Sequence, residues 1–215
     1  MSNVWLSGQT PLLVLLAYLL GSIPFGLILA RIFAKADVRQ AGSGNIGATN
    51  VARVAGPLPG VLTLLLDTAK GFCAVWLAGQ FTDHRASAMM LSGIAALLGH
   101  CYPIWLRFKG GKGVATALGV FLALSALAAL SALAVFLLVV AIWRYVSLGS
   151  VAAAAAMPLL MYLLWAPPLA PPLVITFGTL FATGLVIFKH RANLQRLLDG
   201  TEPQFAFSKS KDLSE

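Results

Sequence analysis

Residues 114–142 read VATALGVFLALSALAALSALAVFLLVVAI, with no charged side chain and only Thr116, Ser125 and Ser131 to interrupt the hydrocarbon. About 18 such residues already span a bilayer as a helix. The reading of this run decides the fold. As one helix it crosses the membrane once; as two short helices turning near Ser125 to Ser131 it crosses twice. The flanks choose between these. Lys109-Gly110-Gly111-Lys112-Gly113 precedes the run, and Lys189-His190-Arg191 closes the last apolar stretch at 173–188. Basic segments mark the cytoplasmic side, so the chain crosses an even number of times between Gly113 and Lys189. With 146–165 and 173–188 as single spans, only the hairpin gives an even count, and Arg144 then lies inside.

Toward the N-terminus, 11–33 forms the first span, with Gly21 and Pro24 inside it as membrane helices tolerate. Arg31, Lys35 and Arg39 follow, which puts the N-terminus outside. A second span covers 55–79. Its Asp67 and Lys70 stand at i,i+3 on one face and are expected as a self-neutralising ion pair turned into the bundle, with a direct catalytic role as the alternative. Gln80 to Arg85 is a solvated outer turn, and 87–106 is the third span. The expectation is an all-α integral membrane protein of about seven transmembrane helices, N-terminus outside and C-terminus cytoplasmic. Its rival has five spans, with one apolar segment re-entrant or flat. Alanines 152–156 suit close helix packing, and a proline cluster fills 166–172.

Composition agrees. The chain has 215 residues, 59% hydrophobic and 10% charged, which excludes an ordinary soluble domain. One domain over 1–203 is expected, followed by a disordered tail, 204–215. The net charge of +8 is what cytoplasmic loops supply and calls for no nucleic acid. Cys73 and Cys101 lie in apolar runs, so neither a disulfide framework nor a metal site is expected, and no cofactor. The first residues lack the basic start and small-residue cleavage site of a signal peptide.

Three polar clusters fall on one side: 42–53, 107–113 and 190–202. In the first, glycines let the backbone approach a ligand, Ser43, Asn45, Thr49 and Asn50 add neutral hydrogen-bonding groups, and Arg53 offers a fork suited to phosphate. In the second, a basic glycine-rich loop runs into a helix start, where free N–H groups and the dipole favour an anion. It is not a P-loop, because Gly113 follows Lys112 where Ser or Thr is needed. In the third, a short helix places His190 and Asn193 at i,i+3 and Arg196 in the same row; its leucines also fit an interfacial helix. No nucleophile elbow or carboxylate pair is visible. The clusters suit a phosphorylated lipid, or two phosphorylated substrates of which one is fatty.

These residues carry a family resemblance. Ser43-Gly44-Asn45-Ile46-Gly47-Ala48-Thr49-Asn50-Val51-Ala52-Arg53 resembles the first signature of the bacterial acyl-phosphate:glycerol-3-phosphate acyltransferases, the PlsY family. Gly99-His100-Cys101-Tyr102-Pro103 running into Phe108-Lys109-Gly110-Gly111-Lys112-Gly113-Val114-Ala115-Thr116 resembles the second. His190, Asn193, Arg196-Leu197, Gly200 and Glu202 match the third in type and spacing. The resemblance implies acyl transfer from acyl phosphate to the 1-hydroxyl of sn-glycerol 3-phosphate, giving lysophosphatidic acid and phosphate. It places the protein in the bacterial inner membrane, with the site facing the cytoplasm and lipids as neighbours.

It also implies roles. Ser43, Arg53, Lys112, His190 and Asn193 hold glycerol 3-phosphate, with Arg53, Lys112 and His190 closest to the chemistry. The N–H groups of Gly110, Gly111 and Gly113 cradle the acyl phosphate, with Asn45, Thr49 and Ser147 or Ser150 as weaker candidates. Glu202 orients cationic side chains or closes the pocket. His190 is a phosphate ligand or, alternatively, the general base. His100 is expected to pack helices. The related family with a His-x-x-x-x-Asp pair is not matched, since none of His84, His100 and His190 has Asp five residues on. A transporter or flippase of phosphorylated metabolites is the alternative class, and oligomeric state is not legible.

Overall fold

The computed structural model describes residues 9–165 and 171–204, and every regular element among them is helical. In chain order these are α1 (Thr10–Gly21), α2 (Phe25–Ala34), α3 (Ala48–Ala55), α4 (Pro57–Phe81), α5 (Ala86–Cys101), α6 (Val114–Leu124), α7 (Ala126–Trp143), α8 (Val146–Leu164), α9 (Leu173–Lys189) and α10 (Arg191–Leu198). A 3-10 turn, Ile104–Leu106, extends α5.

The run 114–142 does divide, at a single residue. Ser125 takes an extended backbone (φ −154°, ψ 97°), and its Oγ accepts the N–H of Ala128 at 3.4 Å, the job of an N-cap. The expected turn through Ser131 is corrected: Ser131 lies inside α7. The halves are unequal, 11 residues in α6 and 18 in α7. An α6 of this length reaches about 16 Å, roughly half the hydrocarbon thickness. It is pressed onto α4 by two glycines. A Cβ on Gly71 would overlap the Thr116 carbonyl, and one on Gly119 would overlap the Thr68 carbonyl.

Five helical segments are long and apolar enough to cross a membrane: Thr10–Ala34, Pro57–Phe81, Ala86–Leu106, Ala126–Trp143 and Val146–Leu164. The α9–α10 pair, bent by 54°, makes a sixth if taken as one span. The first of these is interrupted at Pro24. The neighbouring Ile23 carbonyl accepts from Lys70 Nζ of α4 at 2.9 Å, which is how a membrane helix keeps a proline.

The core lies where α5 to α9 meet, among Met90, Leu97, Phe121, Ala132, Met157 and Ala182. Its outer faces stay apolar, with Leu138, Leu159 and Phe177 exposed, as suits a lipid solvent. A separate cluster matters more for function. Leu27 and Ala30 of α2 bury Val38, Ile46 and Val51, so the first polar loop and α3 are anchored under α2. The proline cluster lies outside the described residues except Pro171 and Pro172. The expected disordered tail does so beyond Gln204, whose Nε2 donates to Tyr145 Oη at 3.4 Å.

Candidate active site

The first cluster is built around Asn50, only 2% exposed. Its Nδ2 donates to the carbonyls of Val38, Ala41 and Asn45 at 2.8–3.1 Å, and its Oδ1 accepts the Ser43 N–H at 2.8 Å. One side chain thus closes the loop on itself. Asn45 Oδ1 accepts the Gly47 N–H at 2.8 Å just before α3 begins. Arg53, in the last turn of α3, is left exposed.

The second cluster folds onto the end of α5. Gly113 has φ +86° and opens α6, a conformation that glycine adopts without strain. The first-turn N–H groups of α6 have no acceptor within the helix. Gly110 and Gly111 require a correction. Their N–H groups donate to the carbonyls of Cys101 (3.2 Å) and His100 (3.0 Å), so they are already consumed by α5 and cannot cradle a phosphate.

The third cluster is the turn from α9 into α10. His190 Nδ1 faces the Val186 carbonyl at 2.8 Å, which fixes Nδ1 as the protonated nitrogen and leaves Nε2 as an acceptor. Lys112 Nζ donates to Asn193 Oδ1 at 2.5 Å, Asn193 Nδ2 donates to Glu202 Oε1 at 2.6 Å, and Arg196 Nε donates to Glu202 Oε2 at 2.8 Å.

A cavity of about 640 Å³ gathers the three clusters. Of the expected residues, Ser43, Asn45, Thr49, Arg53, Lys112, Gly113, His190, Asn193 and Glu202 line it, as do Ser147 and Ser150; Gly110 and Gly111 do not. The Ser150 hydroxyl donates to the Val146 carbonyl at 2.8 Å, so it is spent as a donor toward any phosphate. The walls also include Asp67, His100 and Arg196. Each carries a sequence signal, Arg196 as the third member of the His190 row, Asp67 as half of an intramembrane pair and His100 within the second signature, but the sequence reading assigns none of the three to the ligand site.

Electrostatics follow from the partners. Burial pushes Lys112 from 10.5 down to about 8, with Glu202 opposing and Arg196, Arg53 and Lys189 adding to the fall. Burial likewise pushes His190 down to about 4, so its imidazole is neutral at pH 7. Burial raises the Glu202 carboxyl, but the nearby Ser147 hydroxyl and the hydrogen bonds from Asn193 and Arg196 outweigh it and keep the group below its usual range. Ser147 Oγ contributes by proximity, since it makes no hydrogen bond of good geometry. Among the described residues no group of three or more His, Cys, Asp or Glu side chains could hold a metal ion.

A second cavity of about 660 Å³ adjoins the first. Thr49, Leu64, Val114, Ala115, Phe136 and Ser150 belong to the walls of both. Beyond them its lining is almost wholly hydrocarbon, ending at Phe121, Ala132, Met157 and Ala182.

Fold and site together define a multi-span membrane protein in which a polar cavity lined by Arg53, Lys112 and Arg196 adjoins a hydrocarbon-lined one. The glycerol-3-phosphate acyltransferase family model matches residues 11–200, and the chain belongs to that family. The glycerol-3-phosphate acyltransferase of Syntrophotalea carbinolica is 53% identical over 194 residues, covering 90% of this chain and 96% of that protein. The one from Geobacter sulfurreducens is 51% identical over 196 residues, with the same coverage of 90% and 96%. Two crystal structures of PlsY (YgiH), an integral membrane glycerol 3-phosphate acyltransferase, superpose on it. The glycerol 3-phosphate form gives a TM-score of 0.86 at 41% identity, and the lysophosphatidic acid form 0.84 at 40%; each covers 93% of this chain and 96% of its own.

Proposed function

We propose that this chain moves a fatty acyl group from an acyl phosphate to the 1-hydroxyl of sn-glycerol 3-phosphate. The products are lysophosphatidic acid and inorganic phosphate, formed at the cytoplasmic face of a bacterial inner membrane. The observation that carries this is the shared wall between the polar and the hydrocarbon cavity. A substrate with a phosphate at one end and a fatty chain at the other fits the pair, with its reactive carbonyl at the junction.

Arg53, Ser43, Lys112 and Asn193 hold the acceptor's phosphate. The start of α6, from Gly113 to Ala115, and Thr49 hold the donor's. Glu202 occupies Asn193 and Arg196 with a carboxylate that an arriving phosphate displaces. An acyl phosphate is a mixed anhydride with a good leaving group, so positioning and charge neutralisation supply most of the catalysis. The acceptor oxygen bonds the acyl carbon and the bond from that carbon to the phosphate oxygen breaks. Phosphate leaves with the electron pair. His190 suits the hydroxyl better than a phosphate, because a neutral imidazole presenting Nε2 accepts a hydrogen bond and adds no positive charge. The hydroxyl proton passes through it to the departing phosphate.

The test uses purified protein in lipid with palmitoyl phosphate and glycerol 3-phosphate, following phosphate and lysophosphatidic acid. Release that depends on glycerol 3-phosphate and is absent with palmitoyl-CoA is expected. Arg53→Ala should lose about 2–5 kcal/mol of transition-state binding, and His190→Gln should lower kcat by about 10²-fold with less effect on KM. No release from folded protein defeats the assignment, and near-normal Arg53→Ala turnover defeats the anion site.

A further inference from the structure

Asp67 and Lys70 on α4 and His100 on α5 are charged-type side chains buried inside the spanning helices. They are 2%, 3% and 4% exposed. Lys70 Nζ sits 2.7 Å from Asp67 Oδ1, and His100 Nδ1 sits 3.6 Å from the same oxygen. The first pair lies at ion-pair distance, yet Asp67 Oδ1 and His100 Nδ1 have no well-formed hydrogen bond. Both residues reach the polar cavity. The acyl-transfer scheme above uses none of the three.

The far edge of the imidazole meets the glycine loop. A Cβ on Gly111 would overlap Nε2, Cε1 and Cδ2 of the His100 ring, and one on Gly110 would overlap the His100 carbonyl and Pro103 Cδ. The N–H groups of the same two glycines are bonded to the end of α5. Both glycines are therefore explained by their fit against His100 and Cys101 without any ligand. The residue that follows is Lys112, whose ammonium reaches across to Asn193 of α10.

We propose that His100 is a positioning residue: its ring, held between Asp67 and the Gly111 backbone, seats the 110–113 loop and so places the Lys112 ammonium in the anion cavity. Asp67 steadies the ring from α4. Lys70 balances that carboxylate and satisfies the Ile23 carbonyl beside Pro24. His100 is not the base, since Gly111 covers its Nε2 edge and Asp67 faces Nδ1. The proposal rests on the acyltransferase assignment for what Lys112 does, but the contact itself does not.

Two double-mutant cycles in the full chain test it. Gly111→Ala should lower kcat/KM about 10- to 100-fold in the native background, and less than about 3-fold in His100→Ala, where the ring no longer blocks the new methyl. His100→Ala combined with Lys112→Ala should be no slower than Lys112→Ala alone, because both act through one ammonium. Losses that multiply in either cycle overturn the proposal, the second because a merely structural His100 would act independently of Lys112. If His100→Ala does not fold, His100→Asn takes its place. The first cycle is also run as thermal unfolding without substrate. Should the native protein show no acyl transfer, the function fails alone, and coupling between positions 100 and 111 in the melting cycle still decides the contact.

Discussion

At Lys112 two demands conflict, and pH exposes the conflict. Burial holds its ammonium at about 8, so the charge that draws a phosphate is lost as pH rises through that value. The KM for glycerol 3-phosphate should rise above about pH 8 in the native protein. It should stay flat in Lys112→Arg, because guanidinium remains charged; a flat native profile would remove Lys112 from the anion site. Stability has the opposite sign. The unfolded chain, with an ordinary lysine at 10.5, binds more protons than the folded one between about 8 and 10.5, so unliganded stability climbs across that window. At this scale the sequence tells part of the story. Spacing alone puts His190, Asn193 and Arg196 in a row. It cannot say that Val186, one turn back, supplies the carbonyl that sets the His190 tautomer, because any helix offers such a carbonyl. Nor does a glycine announce whether it makes room for a phosphate or for an imidazole, which is why Gly110 and Gly111 are misread from sequence.

Helix α8 shows the same ambiguity in a whole element. Its alanine stretch, 152–156, suits close packing, yet Ala153 and Ala154 line the hydrocarbon cavity. The small side chains make a void on one side as they permit contact on the other, and periodicity does not say which face meets a neighbour. From Val146 to Met157 that wall is about 16 Å long, close to one leaflet of hydrocarbon, so it suits a single fatty chain. Ala153→Phe fills the bore partway along. From an equimolar mixture of dodecanoyl and hexadecanoyl phosphate, the variant should enrich the shorter lysophosphatidic acid several-fold over the native protein, as product mass spectra would show. An unchanged ratio means that the chain lies elsewhere, against the bilayer. Overpacking of this kind costs about 1–3 kcal/mol of stability, so the melting temperature is measured alongside.

For the molecule as a whole, parity is the argument with most reach. Charge alone asks for an even number of crossings between Gly113 and Lys189, and the site supplies an independent reason for the same count. Lys112 and Gly113, at the start of α6, share a cavity with Val146 and Ser147, at the start of α8, and Gln204 near the cavity donates to Tyr145. The chain therefore leaves this side along α6 and is back by the start of α8, which one long helix through 114–142 could not do. Length and hydropathy miss this, since α6 is too short to count as a span by itself. The hairpin predicts seven crossings with Tyr145 on the cytoplasmic side. In a background with Cys73→Ala and Cys101→Ala, single cysteines at Ala41, Gln80, Tyr145 and Ala192 can be challenged with a membrane-impermeant maleimide from one face of sealed vesicles. Ala41→Cys, Tyr145→Cys and Ala192→Cys should label together, and Gln80→Cys only from the opposite face. Labelling of Tyr145→Cys with Gln80→Cys, while Ala192→Cys still labels with Ala41→Cys, would mean that α6 and α7 make one crossing between them and that α8 or α9 does not cross, and the five-span arrangement would replace the seven.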